Sequence, residues 1–421
     1  MPSTTNLALD DAIWMPVSHA LAGVMRTDVA YRGERGGDPL TTVPPSNPVR
    51  QWMTLDEPLS PAETERRDAL TDRLGTAAVG AFDLLNVYLG DRLGLFRALD
   101  AGGRSSSAEL ATRTGLHERY VREWLEQGAV TGFLDAELSD DDPAQNRYTL
   151  PPGHAEALLD RDSLRYAAPG VVGLIGTLGK VLPDLLGAFR EGGGFPFEAS
   201  GDDMREGEAL ANRPMYLSLL GQAWLPAIPD LHARLQADPP ARVVDVGMGH
   251  GWSSIGLARA YPKIQVDGLD LDGPSVDMAR RNAAAEGLAD RVRFETRTAA
   301  DPALAGRYDL VTAFECLHDM THPVEVLRAM RALLADGGSV LIADEKSDET
   351  LQAPGDDLQR YLYGWSVLHC LASAMDGPGA AGTGTVMRPA TLRRYAEAAG
   401  FERVEIVPIE HDAWRFYRLH P

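Results

Sequence analysis

The stretch Val243-Val-Asp-Val-Gly-Met-Gly-His-Gly251 joins a short apolar run to three glycines at alternate positions. The pattern predicts a buried strand at residues 242–246, a glycine-rich turn and a helix that starts near Ser253. Because glycine has no side chain, a ligand can approach the bare backbone amides where that helix begins. Nucleotides bind at such a turn in parallel α/β sheets, so the turn is the first candidate binding site.

Strands and helices are predicted to alternate from Ala241 to the end of the chain, which is typical of a doubly wound parallel α/β sheet. The predicted strands cover residues 242–246, 265–271, 292–296, 308–314 and 339–343. Helices are predicted between them at 253–260, 275–286, 323–334 and 391–399. The last two strands, at 403–407 and 414–419, are expected to form a terminal hairpin.

A mainly helical region with a winged-helix pattern precedes the sheet. Ser60-Pro-Ala-Glu63 is a helix start with a capping box, and its helix is expected to run to about Leu89. Residues 107–117 and 118–127 then predict two helices joined by a turn at Gly115. Two short strands are predicted to follow, at 133–134 and 148–150.

A winged helix can bind DNA, but the second helix of this one is acidic. It offers three glutamates, at 118, 123 and 126, against two arginines, at 119 and 122. Such a helix repels phosphates, so the sequence favours a packing or dimerisation module over DNA binding.

The composition indicates an acidic protein of two or three domains that does not bind nucleic acid or membranes. The chain has 421 residues, a formal net charge of −21 and two cysteines. Asp10 and Asp11 lie where a signal peptide would be apolar. No uncharged apolar run reaches the roughly 18 residues of a membrane span, and residues 166–179 are predicted as a buried helix or loop. A reducing, cytoplasmic location is therefore expected.

A carboxylate follows the glycine turn at the end of the second predicted strand. Asp270, placed 25 residues after Asp245, can accept both hydroxyls of a ribose. A dinucleotide is disfavoured because the third glycine comes too early and Trp252 follows it. No Lys or Arg stands near the turn to neutralise a pyrophosphate, so a nucleoside with little phosphate charge fits better.

These residues resemble the cofactor site of class I S-adenosylmethionine (SAM) methyltransferases. Residues 60–421 resemble the small-molecule branch, which includes plant caffeic acid and bacterial polyketide O-methyltransferases. Two motifs, Glu-Cys-Leu-His-Asp-Met at 315–320 and Gly-Thr-Val-Met-Arg-Pro at 384–389, are similar to those of a bacterial group often labelled transcriptional regulators. The resemblance implies a Rossmann-like SAM-binding sheet, a homodimer and a small, fairly hydrophobic acceptor from secondary metabolism.

The expected domains are an N-terminal extension without a clear pattern (1–59), the winged-helix or dimerisation domain (60–165), a helical linker and substrate-pocket segment (166–240) and the catalytic sheet (241–421). By the resemblance, the glycine turn faces the amino acid part of SAM, Asp270 binds the ribose and Leu271 packs on the adenine. Thr298 replaces an aspartate that is usual in the family, and Asp301 is an alternative partner for the adenine amine. The full set of expected cofactor residues is Asp245, Gly247, Met248, Gly249, Gly251, Asp270, Leu271, Thr298, Ala299, Phe314 and Met320.

The resemblance also implies a catalytic group at His318 and Asp319, because the plant enzymes carry their base in a His-Asp pair at this place. Methyl transfer depends mainly on alignment, and a neutral imidazole can take the proton of an acceptor hydroxyl. Asp344 matches the acidic residue that supports the histidine. An inert, hydrogen-bonded His318 is the competing interpretation. A metal held by His318, Asp319 and His322 is disfavoured, since no third histidine or cysteine is near.

Large side chains before and after the sheet are candidates for the acceptor pocket, with core packing as the alternative for each. They are Met215, Tyr216, Trp224, Trp365 and His369. The predicted function is SAM-dependent O-methylation, with N- and C-methylation open. Two other functions remain possible: a SAM-binding protein that directs a cyclisation or rearrangement without methylating, and a DNA-binding regulator that senses SAM.

Overall fold

The structure is a computed structural model, and it describes residues 58–421. The sheet and the candidate site lie in one compact unit, Ala69–Pro421. Almost all of the extension predicted at residues 1–59 lies outside the described residues.

Fourteen α-helices occur in the described part of the chain. They are α1 (Pro61–Arg92), α2 (Leu95–Gly102), α3 (Ser107–Thr114), α4 (Glu118–Val130), α5 (Pro152–Leu159), α6 (Ala168–Glu191), α7 (Asp202–Leu219), α8 (Pro229–Gln236), α9 (Trp252–Ala260), α10 (Gly273–Ala285), α11 (Pro323–Leu333), α12 (Asp357–Trp365), α13 (Leu371–Ala374) and α14 (Pro389–Ala399). Two π-helical turns, Leu220–Trp224 and Ser366–Cys370, follow α7 and α12.

The strands form a small hairpin and one large sheet. The hairpin pairs β1 (Asp135–Glu137) with β2 (Arg147–Thr149). The sheet contains β3 (Arg242–Val246), β4 (Gln265–Asp270), β5 (Val292–Thr296), β6 (Tyr308–Phe314), β7 (Leu334–Glu345), β8 (Arg403–Val407) and β9 (Trp414–His420), in the order β5-β4-β3-β6-β7-β9-β8. The first five strands in that order are parallel, and β9 and β8 add an antiparallel hairpin. The predicted doubly wound fold is confirmed.

Both faces of the sheet are buried, as a parallel sheet requires. Along β3, Val243 packs into a cluster with the helices before the sheet, while Val244 faces the opposite cluster with α11 and α14. Successive strand residues point to opposite faces, so one short apolar run supplies both cores. Each such fully buried side chain stabilises the fold by about 1.5–3 kcal/mol.

The winged-helix region shows one wrong prediction. A strand was expected at residues 133–134, but β1 begins at Asp135. Leu134 is buried against Gly128, and its backbone N–H still bonds the Gly128 carbonyl at the end of α4. The chain is therefore still turning away from the helix at these residues, and it becomes extended only after them.

Helices α6 and α7 cross closely ahead of the sheet. A Cβ atom on Gly207 would lie 2.6 Å from the Cα of Gly173, so only glycine permits this spacing. Within the described residues, α6 is the one helix long and apolar enough to cross a membrane by length and composition, which is weak evidence. Its outer face instead leaves Leu182, Leu186 and Phe189 exposed.

Candidate active site

A cavity of about 630 Å³ opens at the carboxyl ends of β3, β4 and β6, under helix α7. Helix α7 can approach because Gly256 on α9 leaves room for the backbone of Tyr216. The residues that line the cavity include most of the predicted cofactor set: Gly247, Met248, Gly249, Asp270, Leu271, Thr298, Ala299, Phe314 and Met320. Asp319 and Tyr216, from the other predicted sets, line it as well.

The glycine turn and the carboxylate after β4 are joined directly. The backbone N–H of Gly249 donates to Asp270 Oδ2 at 2.9 Å, and the N–H of Asp272 donates to Oδ1. Burial raises the pKa of Asp270, while these backbone hydrogen bonds oppose the rise. Each carboxylate oxygen keeps a lone pair for a ligand hydroxyl, so the site can accept a pair of ribose hydroxyls.

Left-handed backbone explains the glycine at the first position of the turn. Gly247 has φ +70°, and a Cβ atom there would lie 2.8 Å from Cys316 Sγ. A larger residue would therefore bring both strain and a clash to the floor of the cavity.

Asp245 and Gly251 were predicted among the cofactor residues, but they lie behind the turn and not on the cavity wall. Asp245 is 1% exposed and accepts hydrogen bonds from the hydroxyls of Ser253, Ser254 and Thr312. It thereby fixes the start of α9 against the sheet. A Cβ atom on Gly251 would lie 2.5 Å from the Phe294 ring, so this glycine serves packing.

At the far end of the cavity, Leu271 is 73% exposed and available to a flat ligand. The Thr298 hydroxyl oxygen accepts from the Ala300 N–H at 3.2 Å. Asp301, the suggested alternative partner for an adenine amine, is instead bonded to Arg297 at 2.6 and 2.8 Å and does not line the cavity.

His318 is held between two carboxylates in the short turn after β6. Its Nδ1 donates to Asp344 Oδ1 at 2.8 Å, and its Nε2 lies 3.3 Å from Asp319 Oδ1. His318 and Asp344 are buried, while Asp319 reaches the cavity. Burial alone would lower the pKa of His318, but the two carboxylates outweigh it and raise that pKa well above its usual value. The general-base role predicted for His318 requires the neutral ring and stays a prediction.

Three acidic or amide side chains that the sequence analysis did not assign complete this end of the cavity: Glu208, Asn212 and Glu315. The Asn212 amide donates to the Glu315 carboxylate. Burial raises the pKa of Glu315 to about 7. Burial and the nearby charges of Asp319 and Glu315 also raise the pKa of Glu208 well above its usual value. Glu315 is a charged residue directly after a buried strand, and this position is the signal by which the sequence could have identified it.

Four of the five predicted pocket residues do not line the cavity. Trp224 is 2% exposed and packs on Trp414 and Phe416, while Met215 Sδ contacts His411 Nε2 at 3.3 Å. Adjacent residues on a helix point about 100° apart, which is why Tyr216 lines the cavity and Met215 does not.

The other two predicted residues that do not line the cavity lie in and beside the π-helical turn after α12. His369 is fully buried, and its Nε2 is 2.7 Å from Ser200 Oγ. Trp365 packs with its ring at 90° to that imidazole, and neither residue lines the cavity.

Among the described residues, two groups have ligand atoms close enough for a metal ion, and both include Asp319: one with His318 and Cys370, the other with Glu208 and His369. His322, which the sequence suggested, belongs to neither. Burial, with the Asp319 charge, raises the pKa of the Cys370 thiol to about 12, which opposes thiolate ligation. The absence of a metal stays a prediction.

Two family models match the chain. Residues 220–406 match a methyltransferase domain, and residues 81–161 match an Rv2258c-like winged HTH domain. The two matches fall on the sheet region and on the helical region that the structure shows.

Individual proteins show the same relationship. The chain is 32% identical over 104 residues to ajmaline N-methyltransferase of Rauvolfia serpentina, covering 24% of this chain and 35% of the relative. It is 29% identical over 185 residues to the ubiquinone biosynthesis O-methyltransferase of Burkholderia pseudomallei, covering 43% and 72%. This chain therefore spans about a third of the first relative.

Solved structures agree on the fold. The mitomycin 7-O-methyltransferase MmcR superposes with a TM-score of 0.63 at 21% identity, over 85% of this chain and 99% of that one. Human N-acetylserotonin methyltransferase in complex with SAM gives 0.60 at 17%, over 83% and 97%. The chain therefore contains a methyltransferase domain after an N-terminal winged-helix domain, and it shares its fold with methyltransferases such as these.

Proposed function

We propose that the protein transfers the methyl group of SAM to a hydroxyl oxygen of a small, fairly hydrophobic acceptor. The observation that supports this most is the cavity itself, in which the glycine turn and Asp270 fit SAM and Asp319 lies on the same wall. SAM supplies an electrophilic methyl group on a sulfonium.

The residues present fit that cofactor. Asp270 has lone pairs free for the ribose, the Gly247–Gly249 backbone can face the amino acid part, and Leu271 and Met320 can flank the adenine. The carboxylates at the opposite end of the cavity favour a cationic ligand. In this arrangement Asp319 and Glu315 face the acceptor, and alignment by the cavity walls supplies most of the catalysis.

N-methylation of an amine is the second candidate, because three carboxyl side chains, Glu208, Glu315 and Asp319, line the acceptor end. A protonated amine would be attracted there and would have to lose a proton before it reacts. The similarity to a plant N-methyltransferase is compatible with this alternative.

Calorimetry with SAM, followed by a mass-shift screen of phenols, polyketides and amines, tests both candidates. A product 14 mass units heavier together with S-adenosylhomocysteine supports methyl transfer, and the atom methylated separates O from N. Bound SAM with a rearranged acceptor and no S-adenosylhomocysteine would favour the non-methylating function instead.

A DNA-binding regulator is disfavoured by the charge of α4. Arg122 bonds Glu118 at 2.8 and 2.9 Å, and Arg119 pairs with Glu123, so both arginines are engaged within the helix. A gel-shift assay with the upstream DNA of its own gene at moderate salt should show no complex.

We propose a homodimer and a cytoplasmic location. The exposed Leu182, Leu186 and Phe189 share one face of α6, and Phe82, Leu85 and Leu89 on α1 are exposed as well. Apolar surfaces of this kind mark interfaces in soluble proteins. Both cysteines are free, which suits a reducing compartment.

A further inference from the structure

We propose that Arg205 is a positioning residue for the cofactor. Its hydrogen bonds to Asp272 hold in place the carboxylate of Asp270, the proposed ribose ligand, and they fix the start of helix α7 at that end of the cavity. The inference rests on the proposed binding of SAM, and it concerns how tightly the nucleoside part of the cofactor is held.

Arg205 and Asp272 form a bidentate ion pair between two distant parts of the chain. Arg205 lies near the start of α7, and Asp272 precedes α10, 67 residues later. The Arg205 Nε donates to Asp272 Oδ2 and its Nη2 donates to Oδ1, both at 2.8 Å. The two side chains are 9% and 7% exposed, and both residues line the cavity. A bidentate pair fixes orientation as well as distance, so it sets how α7 meets the sheet.

Asp272 connects Arg205 to the carboxylate of Asp270. The backbone N–H of Asp272 donates to Asp270 Oδ1 at 2.9 Å, and its own Oδ2 also accepts from the Ser275 N–H at the start of α10. Asp272 is therefore held both by the helix that it caps and by Arg205. Asp270 Oδ2 accepts from the Gly249 N–H, so backbone donors orient both of its oxygens. A shift of Asp272 would move one of these two donors and turn the carboxylate that faces the ribose.

Helix α7 carries further cavity residues on the same face as Arg205. Arg205, Glu208 and Asn212 line the cavity at spacings of three and four residues. Another face of the helix packs closely on α6, where Gly207 lies against Gly173. The helix is thus attached to α6 through its glycine and to the sheet through Arg205. Without the ion pair, its first turns lose their direct bond to the loop that binds the nucleoside.

An arginine on a cavity wall could instead bind an anionic group of a ligand. All three guanidinium nitrogens of Arg205 already donate to carboxylates, because Nη1 bonds Asp202 at 3.0 Å. The guanidinium carbon also lies over the Phe197 ring, 6.0 Å from its centre. Two carboxylates therefore offset the positive charge of Arg205. Its role is to hold Asp272 in place, and the cofactor is bound by other residues.

Calorimetry with S-adenosylhomocysteine and with 5′-methylthioadenosine tests this role without turnover. The second probe has the nucleoside part of the cofactor and lacks the amino acid part. Arg205→Met removes the ion pair but keeps most of the side-chain length, and it should weaken the binding of both probes by about 10-fold. Arg205→Lys keeps the charge without the bidentate geometry, so it should lose part of that affinity.

The matched control is Arg418→Met. It removes a bidentate ion pair with Asp230, and neither of these residues lines the cavity. Both affinities should equal those of the wild type in this control. Urea unfolding without ligand should show a loss of stability in Arg205→Met and in Arg418→Met, so a purely structural role would not distinguish the two variants by affinity.

A double-mutant cycle tests whether Arg205 acts through Asp272. Asp272→Asn should weaken binding at least as much as Arg205→Met, because Asp272 also caps α10. The double variant should bind both probes within about threefold of Asp272→Asn alone, since residues in direct contact do not have additive effects. Fully additive losses would show that the two side chains act independently and would overturn the proposal.

Two further results would also overturn it. One is an Arg205→Met variant that binds both probes as tightly as the wild type. The other is a loss confined to S-adenosylhomocysteine, which would place Arg205 at the amino acid part of the cofactor. If Arg205→Met does not fold, the same comparison with Arg205→Lys decides. A wild type that binds both probes but methylates no acceptor would refute the proposed function and leave the role of Arg205 intact, whereas a wild type that binds neither probe would refute both.

Discussion

Replacing Asp344 by asparagine should destabilise the protein in a pH-dependent way. The Asp344 carboxylate accepts from His318 Nδ1 at 2.8 Å and from the Glu345 N–H at 2.9 Å, and the asparagine oxygen can keep both contacts. The change removes the charge and puts an NH2 group in place of Oδ2, which has no hydrogen-bond partner among the described residues. A hydrogen bond to a charged group contributes about 1.5–3 kcal/mol and a neutral one about 0.5–1.5 kcal/mol, so the loss is about 1–2 kcal/mol. No correction for solvent screening is needed, because both side chains are buried.

The sign of the pH dependence follows from His318. Its pKa in the folded protein is raised well above the unfolded value of about 6.5. The resulting stability is fully present below about pH 6.5 and is lost as the pH rises through the folded pKa. The cost of Asp344→Asn should therefore be largest near pH 6 and smaller at pH 9.

Urea unfolding followed by circular dichroism, at pH 6 and at pH 9 without SAM, measures this cost. Ser254→Ala is the matched control, because it removes a buried hydrogen bond to Asp245 that involves no histidine. Its cost should be similar at the two pH values. An equal cost for Asp344→Asn at both values would refute the assignment of a charged His318.

Three further predictions test the cavity and the dimer. Asp270→Ala should weaken SAM binding by about 10- to 100-fold in calorimetry, because the ribose loses hydrogen bonds to a charged group. An unchanged affinity would show that Asp270 does not bind the cofactor. Gly247→Ala should lower the melting temperature more than Gly249→Ala. An added Cβ atom meets Cys316 Sγ at 2.8 Å at position 247 and nothing within 4 Å at position 249. Equal decreases in melting temperature would mean that only the strain of the positive φ matters. Leu186→Glu should halve the mass seen by light scattering after size-exclusion chromatography, and an unchanged mass would exclude that face of α6 from the interface.

The parts of the fold that the sequence predicted are those set by local patterns. The β3 strand, the glycine turn and Asp270 lie within one βαβ unit, so spacing alone brings them together. Trp224 and His369 were misplaced because apolar or bulky character does not tell a cavity wall from a core. That distinction depends on which elements pack from far along the chain.

Glu315 could not be assigned for a related reason. Its surroundings depend on Asn212 from a separate helix and on a backbone conformation that glutamate rarely adopts. Neither of these is visible in the motif at 315–320, although the motif itself marked the place. The prediction of a strand at residues 133–134 was wrong because a tertiary contact of Leu134 overrode the local preference for an extended chain.

Helices α6 and α7 cross at Gly173 and Gly207, between the cavity and the exposed apolar surface of α6. Helix α7 carries Glu208, Asn212 and Tyr216 to the cavity, and α6 carries the exposed apolar face on its other side. A methyl group on Gly173 would rest 3.4 Å from Gly207 Cα, at the edge of ordinary contact. We expect bulk added at that crossing to change the spacing of α6 and α7, and so to shift the cavity side chains of α7 from a position that does not itself line the cavity.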